Sequence, residues 1–199
     1  MLNKIFPKYF IINKPYGVLS QFSDSDGRKT LKNFFHFPKD VYPVGRLDMD
    51  SEGLLILTND KSLTDYLLNP KNEHEREYYV QVEGIPTSEA IDKLRNGVVI
   101  EGRKTLTAKV KIISELRLQE RIPPIRKRKY IPTSWLSITI IEGRNRQIRK
   151  MTAAVGFPTL RLIRVRIKNL TIGKLKIGEV RELSSQEVEL LKKLEQRQE

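Results

Sequence analysis

Apolar positions along this chain change period several times. Alternating or continuous runs rich in β-branched and aromatic residues predict short strands at residues 9–12, 53–58, 76–83, 107–113, 135–141 and 160–167. Helical spacing predicts residues 63–68, stopped by Pro70, residues 89–95, stopped by Gly97, and residues 146–155, stopped by Gly156 and Pro158. A last helix opens on a capping box, Ser184 to Glu187, and is expected to bury Val188, Leu191 and Leu194. Strands and helices interleave without a regular βαβ repeat, which predicts an α+β fold with a long central mixed or antiparallel sheet and flanking helices. The Pro- and Arg-rich stretch 118–132 follows neither period and is expected to be a long loop between two strands, not a domain linker.

A chain of 199 residues, 39% of them hydrophobic, is long enough for one well-buried core. No apolar run approaches the roughly 20 residues needed to cross a bilayer, and residues 1–6 lack the basic-then-apolar order of a signal peptide. No membrane association and a cytoplasmic location are therefore expected. The absence of cysteine excludes disulfides, thiolate catalysis and Cys-ligated zinc, and two histidines, His36 and His74, are too few for a His-rich metal site. Neither a metal nor a cofactor is expected.

The net charge of +13 is unevenly spread. Residues 103–181 carry 21 Lys/Arg against 4 Asp/Glu, a local charge of +17, while the remainder sums to −4. Three clusters stand out: Arg126-Lys127-Arg128-Lys129; then Arg144, Arg146, Arg149 and Lys150; then Arg161, Arg164, Arg166 and Lys168. Together they suit a polyanion followed along its phosphates. They fall on alternating or turn-rich segments, which disfavours a membrane surface.

Candidate chemistry concentrates in residues 44–60, VGRLDMDSEGLLILTND. Asp48, Asp50 and Glu52 crowd into five residues directly before an apolar strand, with Arg46 two positions ahead of the first acid and Gly45 and Gly53 bracketing the set. Crowded like charges raise one another's pKa, and a guanidinium lowers that of the carboxylate it contacts, so one acid can be selected to stay ionised. Two other readings stand beside this one. The acids could merely solvate a turn, or three alternating acids could face one Mg²⁺ in a nuclease site. Further along, Ile148, Met151, Thr152 and Val155 share one face of the helix predicted there, which leaves two arginines in its first turn. The helix dipole disfavours cations in that position by about 0.3 to 1 kcal/mol each, so a nearby carboxylate or phosphate is the natural compensation. Tyr78 and Tyr79, adjacent in a strand, point to opposite faces, and only one can serve a site.

Four segments occur in a fixed order: Asn13-Lys14-Pro15-Tyr16-Gly17, the Gly45-Arg46-Leu47-Asp48 loop with its following strand, Arg76-Glu77-Tyr78-Tyr79-Val80, and EGRNRQIRKMTAAVGFPTLRLIR at 142–164. Together they resemble the RNA pseudouridine synthases of the RsuA/RluA type over nearly the whole chain. The resemblance implies a sheet crossed by a catalytic cleft, Asp48 as the catalytic residue, Tyr78 stacked on the target uracil and Arg149 paired with Asp48. It leaves Asp50 and Glu52 to shape the loop, and Lys14 and Pro15 to support it. It also implies RNA contacts from Arg144 and Arg146. The charge pattern adds Arg46, Arg126, Lys127, Arg128, Lys129, Lys150, Arg161 and Arg164 to that interface. Arg76 stands where many relatives have lysine, which keeps the charge but not the hydrogen-bond geometry. Many relatives carry an S4-type domain before the Asn-Lys-Pro segment, and twelve residues precede it here, so a single catalytic domain over 1–199 is expected. The implied activity is isomerisation of uridine to pseudouridine in ribosomal RNA, most of all that of the large subunit, by a monomer. A non-catalytic rRNA-binding protein is the rival from another class.

Overall fold

The computed structural model describes residues 6–125 and 128–193. In chain order the strands are β1 (Tyr9–Lys14), β2 (Tyr42–Pro43), β3 (Glu52–Thr58), β4 (Arg76–Glu83), β5 (Val99–Ile100), β6 (Arg103–Lys104), β7 (Lys109–Ile113), β8 (Thr133–Ile140), β9 (Thr159–Ile167), β10 (Leu170–Thr171) and β11 (Val180–Glu182). The helices are α1 (Lys61–Leu68), α2 (Ser88–Asn96), α3 (Gln147–Ala154) and α4 (Ser185–Lys192).

β3 is buried along its whole length because its continuous apolar run lies inside the sheet, with both faces covered. Leu55 and Leu57 enter one core with Ile12, Tyr78 and Val80. Leu54 and Ile56 enter the other, with Ile11, Leu63 and Leu67 from α1 and Leu191 from α4. Around β3 the sheet runs in the order β11-β1-β3-β9-β4-β8-β7, with β2 paired to β3 and β10 to β9. Every pairing in it is antiparallel except that of β3 with β9, which joins Glu52 to Ile163 and Gly53 to Arg164 and nothing more. A Cβ on Gly53 would lie 2.2 Å from the Arg164 carbonyl oxygen, so this approach of two backbones requires glycine. The mixed sheet with flanking helices is the α+β architecture expected.

Local chemistry sets the helix ends. The Asp60 carboxylate accepts from the Leu63 amide at 3.1 Å and starts α1. The capping box of α4 forms as expected, with Ser184 N donating to Glu187 Oε2 at 2.9 Å and Glu187 N to Ser184 Oγ at 3.3 Å. Leu191 is buried there and Val188 partly so, while Leu194 lies outside the described residues. α3 begins at Gln147, since Arg146 adopts a left-handed conformation (φ 50°) just before it. Among the described residues five strands of two or three residues were too short to show a period in the sequence. Among the described residues no helix is long and apolar enough to cross a membrane.

Candidate active site

The loop between β2 and β3 is fixed at several points before any acid is considered. Leu47 N donates to Ser20 Oγ at 3.0 Å and Ser20 Oγ donates back to Leu47 O at 2.7 Å. Gly17 N donates to Met49 O at 2.7 Å, and Ser51 N closes the turn on Asp48 O at 3.0 Å. Beneath it Lys14, fully buried at the end of β1, donates its Nζ to Pro15 O at 2.9 Å and Val18 O at 2.7 Å. Burial pushes the Lys14 ammonium down to about 8, against the opposing pull of Glu52, Asp50 and Asp48. The support expected of Lys14 thus takes a concrete form: a buried cation organises the turn on which the acidic loop rests.

The three acids diverge. Asp48 keeps its side chain 39% exposed, with Arg146 Nη1 3.5 Å from Oδ2. Asp50 takes both arms of Arg146, at 2.9 and 2.7 Å. Burial raises the Asp50 carboxyl, but the Arg146 hydrogen bonds and the charges of Arg149 and Arg146 outweigh it and hold the group below its ordinary range. Glu52 turns to the far side of the sheet and is gripped by Arg161, Nε to Oε2 and Nη2 to Oε1, both at 2.7 Å. Among the described residues no group of three or more His, Asp or Glu could hold a metal ion. A three-acid Mg²⁺ site therefore lacks its geometry.

Several assignments change. Arg149 was expected beside Asp48, but its Nη2 donates to Asp50 O at 2.7 Å and its Nε lies 3.4 Å from Asp50 Oδ2. The guanidinium next to Asp48 is that of Arg146, because the left-handed turn before α3 swings that residue over the loop. Asp50 is thus the anion that compensates the cations at the start of α3. Asp50 and Glu52 each hold an arginine, which is more than shaping a loop. Arg144 is spent on protein: Nε to Glu142 at 3.0 Å, Nη1 to Arg103 O at 3.1 Å and Nη2 to Lys104 O at 2.7 Å, which pins the β5–β6 hairpin. Lys150 is bound to Glu101 at 2.6 Å.

The cluster on β9 is not a surface tract, because a strand inside a sheet has both faces covered. Arg161 and Arg164 are buried, the latter donating from Nε to Leu54 O at 2.8 Å. Arg166 is tied to Glu77 and Glu75, and Lys168 is buried, with its Nζ on the carbonyls of Leu191 and Lys193. Arg46, Arg128 and Lys129 are exposed, whereas Arg126 and Lys127 lie outside the described residues. The described residues between β7 and β8, 114–125 and 128–132, form neither helix nor strand, in line with the loop expected at 118–132, but part of the segment is anchored on the sheet, where Gln119 O accepts from Arg161 Nη1 at 2.9 Å.

A cleft of about 680 Å³ opens above the loop, lined by Arg46, Asp48, Arg76, Tyr78, Arg146 and Arg164, among others. Tyr78, 9% exposed, shares this face with Asp48, while Tyr79 lines a separate groove behind the sheet, as strand alternation requires. Arg164 Nη2 is buried without a hydrogen-bond partner. Ser20, Gln147 and Glu142 were missed from the sequence. Gln147 Nε2 donates to Glu142 Oε1 at 2.6 Å and shapes the entry to α3, and only its place inside the EGRNRQ segment could have flagged it.

A part-exposed carboxylate 3.5 Å from the Arg146 guanidinium, in a basic cleft that Tyr78 also lines, is the equipment of an enzyme acting on a nucleic acid. The profile of the RNA pseudouridylate synthases matches residues 8–154, and the chain belongs to that family. The chain is 53% identical to ribosomal large subunit pseudouridine synthase E of Vibrio parahaemolyticus over 176 residues, covering 88% of this chain and 74% of the relative. It is 41% identical to ribosomal large subunit pseudouridine synthase B of Bacillus subtilis over 189 residues, 94% of this chain and 72% of the relative. A crystal structure of a pseudouridylate synthase superposes with a TM-score of 0.78 at 28% identity, covering 94% of this chain and 74% of that one.

Proposed function

We propose that the protein converts a uridine of large-subunit ribosomal RNA to pseudouridine in the cytoplasm, as a monomer, with Asp48 as the catalytic residue. The reading rests above all on the exposed Asp48 carboxylate, 3.5 Å from Arg146 and in one cleft with Tyr78. The relatives named large-subunit synthases E and B support the choice of RNA.

In the reaction the bond from uracil N1 to ribose C1′ breaks, the base rotates, C5 bonds to C1′, the hydrogen on C5 leaves as a proton and N1 takes up a proton, so that product and substrate are isomers. A carboxylate is needed whether it attacks C1′, adds to uracil C6 or removes the 2′ proton. A uridine inside folded RNA must leave its stack to reach Asp48, at a cost of a few kcal/mol. Exposed Arg46, Arg128 and Lys129 hold phosphates, and Tyr78 offers its ring to the base. Arg146 orients Asp48 and Asp50 together, while Arg149 holds the loop backbone.

The test is Asp48→Asn, nearly isosteric. RNA binding and melting temperature should stay at wild-type values while tritium release from RNA labelled at uracil C5 disappears, with EDTA present throughout. Normal release by Asp48→Asn, or a wild type silenced by EDTA, overturns the proposal.

A further inference from the structure

Two contacts connect the basic loop between β7 and β8 to the segment that carries Asp48. The first runs through Arg121, whose guanidinium carbon lies 4.0 Å from the centre of the Tyr16 ring. Tyr16 belongs to the turn clamped by Lys14, and its neighbour Gly17 donates to Met49 O, next to Asp48. The second runs through Arg161, which holds Gln119 O of the basic loop with one arm and Glu52 with the other two atoms of its guanidinium. Glu52 and Arg161 are 3% and 6% exposed, so this link is dry and rigid. One connection ends one residue after Asp48 and the other four residues after it. The two routes are independent, one crossing the turn after β1 and the other crossing β9.

We infer that the segment of residues 114–125, which follows β7, is a brace for the catalytic loop, with Arg121 and Arg161 as positioning residues that set the Asp48 carboxylate in register when RNA engages it. This goes beyond holding phosphate and rests on the proposed RNA reaction. Arg121 makes its cation–π contact at the surface, so removing it leaves both cores untouched. A phosphate contact contributes to affinity whatever the step, whereas a brace contributes to turnover at saturating RNA.

The experiment measures kcat, KM and the salt dependence of binding for wild type, Arg121→Ala, Tyr16→Leu, Tyr16→Phe, the Arg121→Ala/Tyr16→Leu double variant and Arg161→Lys, with Asp48→Asn as the dead control. Arg121→Ala and Tyr16→Leu should each lower kcat roughly two- to five-fold, the weight of an exposed cation–π contact, with KM unchanged. Tyr16→Phe should restore wild-type kcat, since it keeps the ring face, and the double variant should be no slower than either single one. Arg161→Lys keeps a cation for Glu52 but gives up the bond to Gln119 O, and should also lower kcat at unchanged KM. A rise in KM with a flatter salt dependence and unchanged kcat in Arg121→Ala would make it a phosphate contact only, and overturn the brace. So would losses that multiply in the double variant. A wild type without turnover would instead refute the proposed reaction, which keeps the two failures apart.

Discussion

Asp50→Asn separates the observed electrostatics from the pairing that the sequence suggests. The carboxylate accepts two charge-assisted bonds from Arg146 and lies 3.4 Å from Arg149 Nε. Such bonds contribute about 1.5 to 3 kcal/mol when shielded. The Asp50 and Arg146 side chains are 28% and 41% exposed, so solvent screening reduces the pair to about 1 to 2 kcal/mol. Converted at tenfold per 1.4 kcal/mol, this is roughly a 5- to 30-fold loss if the whole contribution orients Asp48. Single-turnover tritium release at saturating RNA should fall by that factor, with RNA affinity nearly unchanged because Arg46, Arg128 and Lys129 are intact. Stability supplies a second check. Asp50 has its folded-state pKa depressed, so its contribution is present above the ordinary value of 3.8 and is lost as pH falls through the lower folded value. The stability gap between wild type and Asp50→Asn should therefore close in acid. Wild-type turnover by Asp50→Asn would refute the view that Arg146, held by Asp50, orients the catalytic acid.

Glu52→Gln leaves the buried Arg161 guanidinium without its counter-ion and should destabilise the fold by about 3 to 5 kcal/mol in chemical denaturation; a loss under 1 kcal/mol would contradict the dry pair. Replacing Arg128 and Lys129 with alanine should reduce the slope of log affinity against log salt by roughly 2, whereas Arg164→Lys should not change it. Lys14 has its folded-state pKa depressed to about 8 from an ordinary 10.5, so the folded state sheds its proton first as pH rises and the burial penalty is relieved between those values. The stability of wild type relative to Lys14→Met should rise over that window by roughly 3 kcal/mol, at about 1.4 kcal/mol per unit; a flat difference would place the ammonium in solvent.

Elements with strong local signals were legible in the sequence. The apolar run of β3, the capping box of α4 and the spacing of Ile148, Met151 and Thr152 on α3 depend on neighbours in the chain, and the structure repeats them. The GRLD segment located the acidic loop. The partners of its acids were not legible, because Asp50 and Asp48 differ by two positions while Arg146 and Arg149 come from about a hundred residues away. Only the left-handed turn at Arg146 decides which guanidinium meets which carboxylate. Charge misled at β9: a strand with Arg161, Arg164 and Arg166 reads as surface until its place between β3 and β4 shows that each cation must find a partner indoors.

The seam between β3 and β9 has a mechanical meaning. Along the main strand order from β11 to β7 every other ladder is longer, with six residue pairs between β1 and β3 and eight between β4 and β8. Across the seam there are two, and Glu52 supplies one of them. A twist of one half of the sheet against the other would be resisted least at this line, and Asp48, the proposed catalytic acid, stands four residues from it. The Glu52–Arg161 pair then acts as a rivet: it adds shear resistance where the hydrogen-bond ladder is shortest, next to the residue that tolerates displacement least.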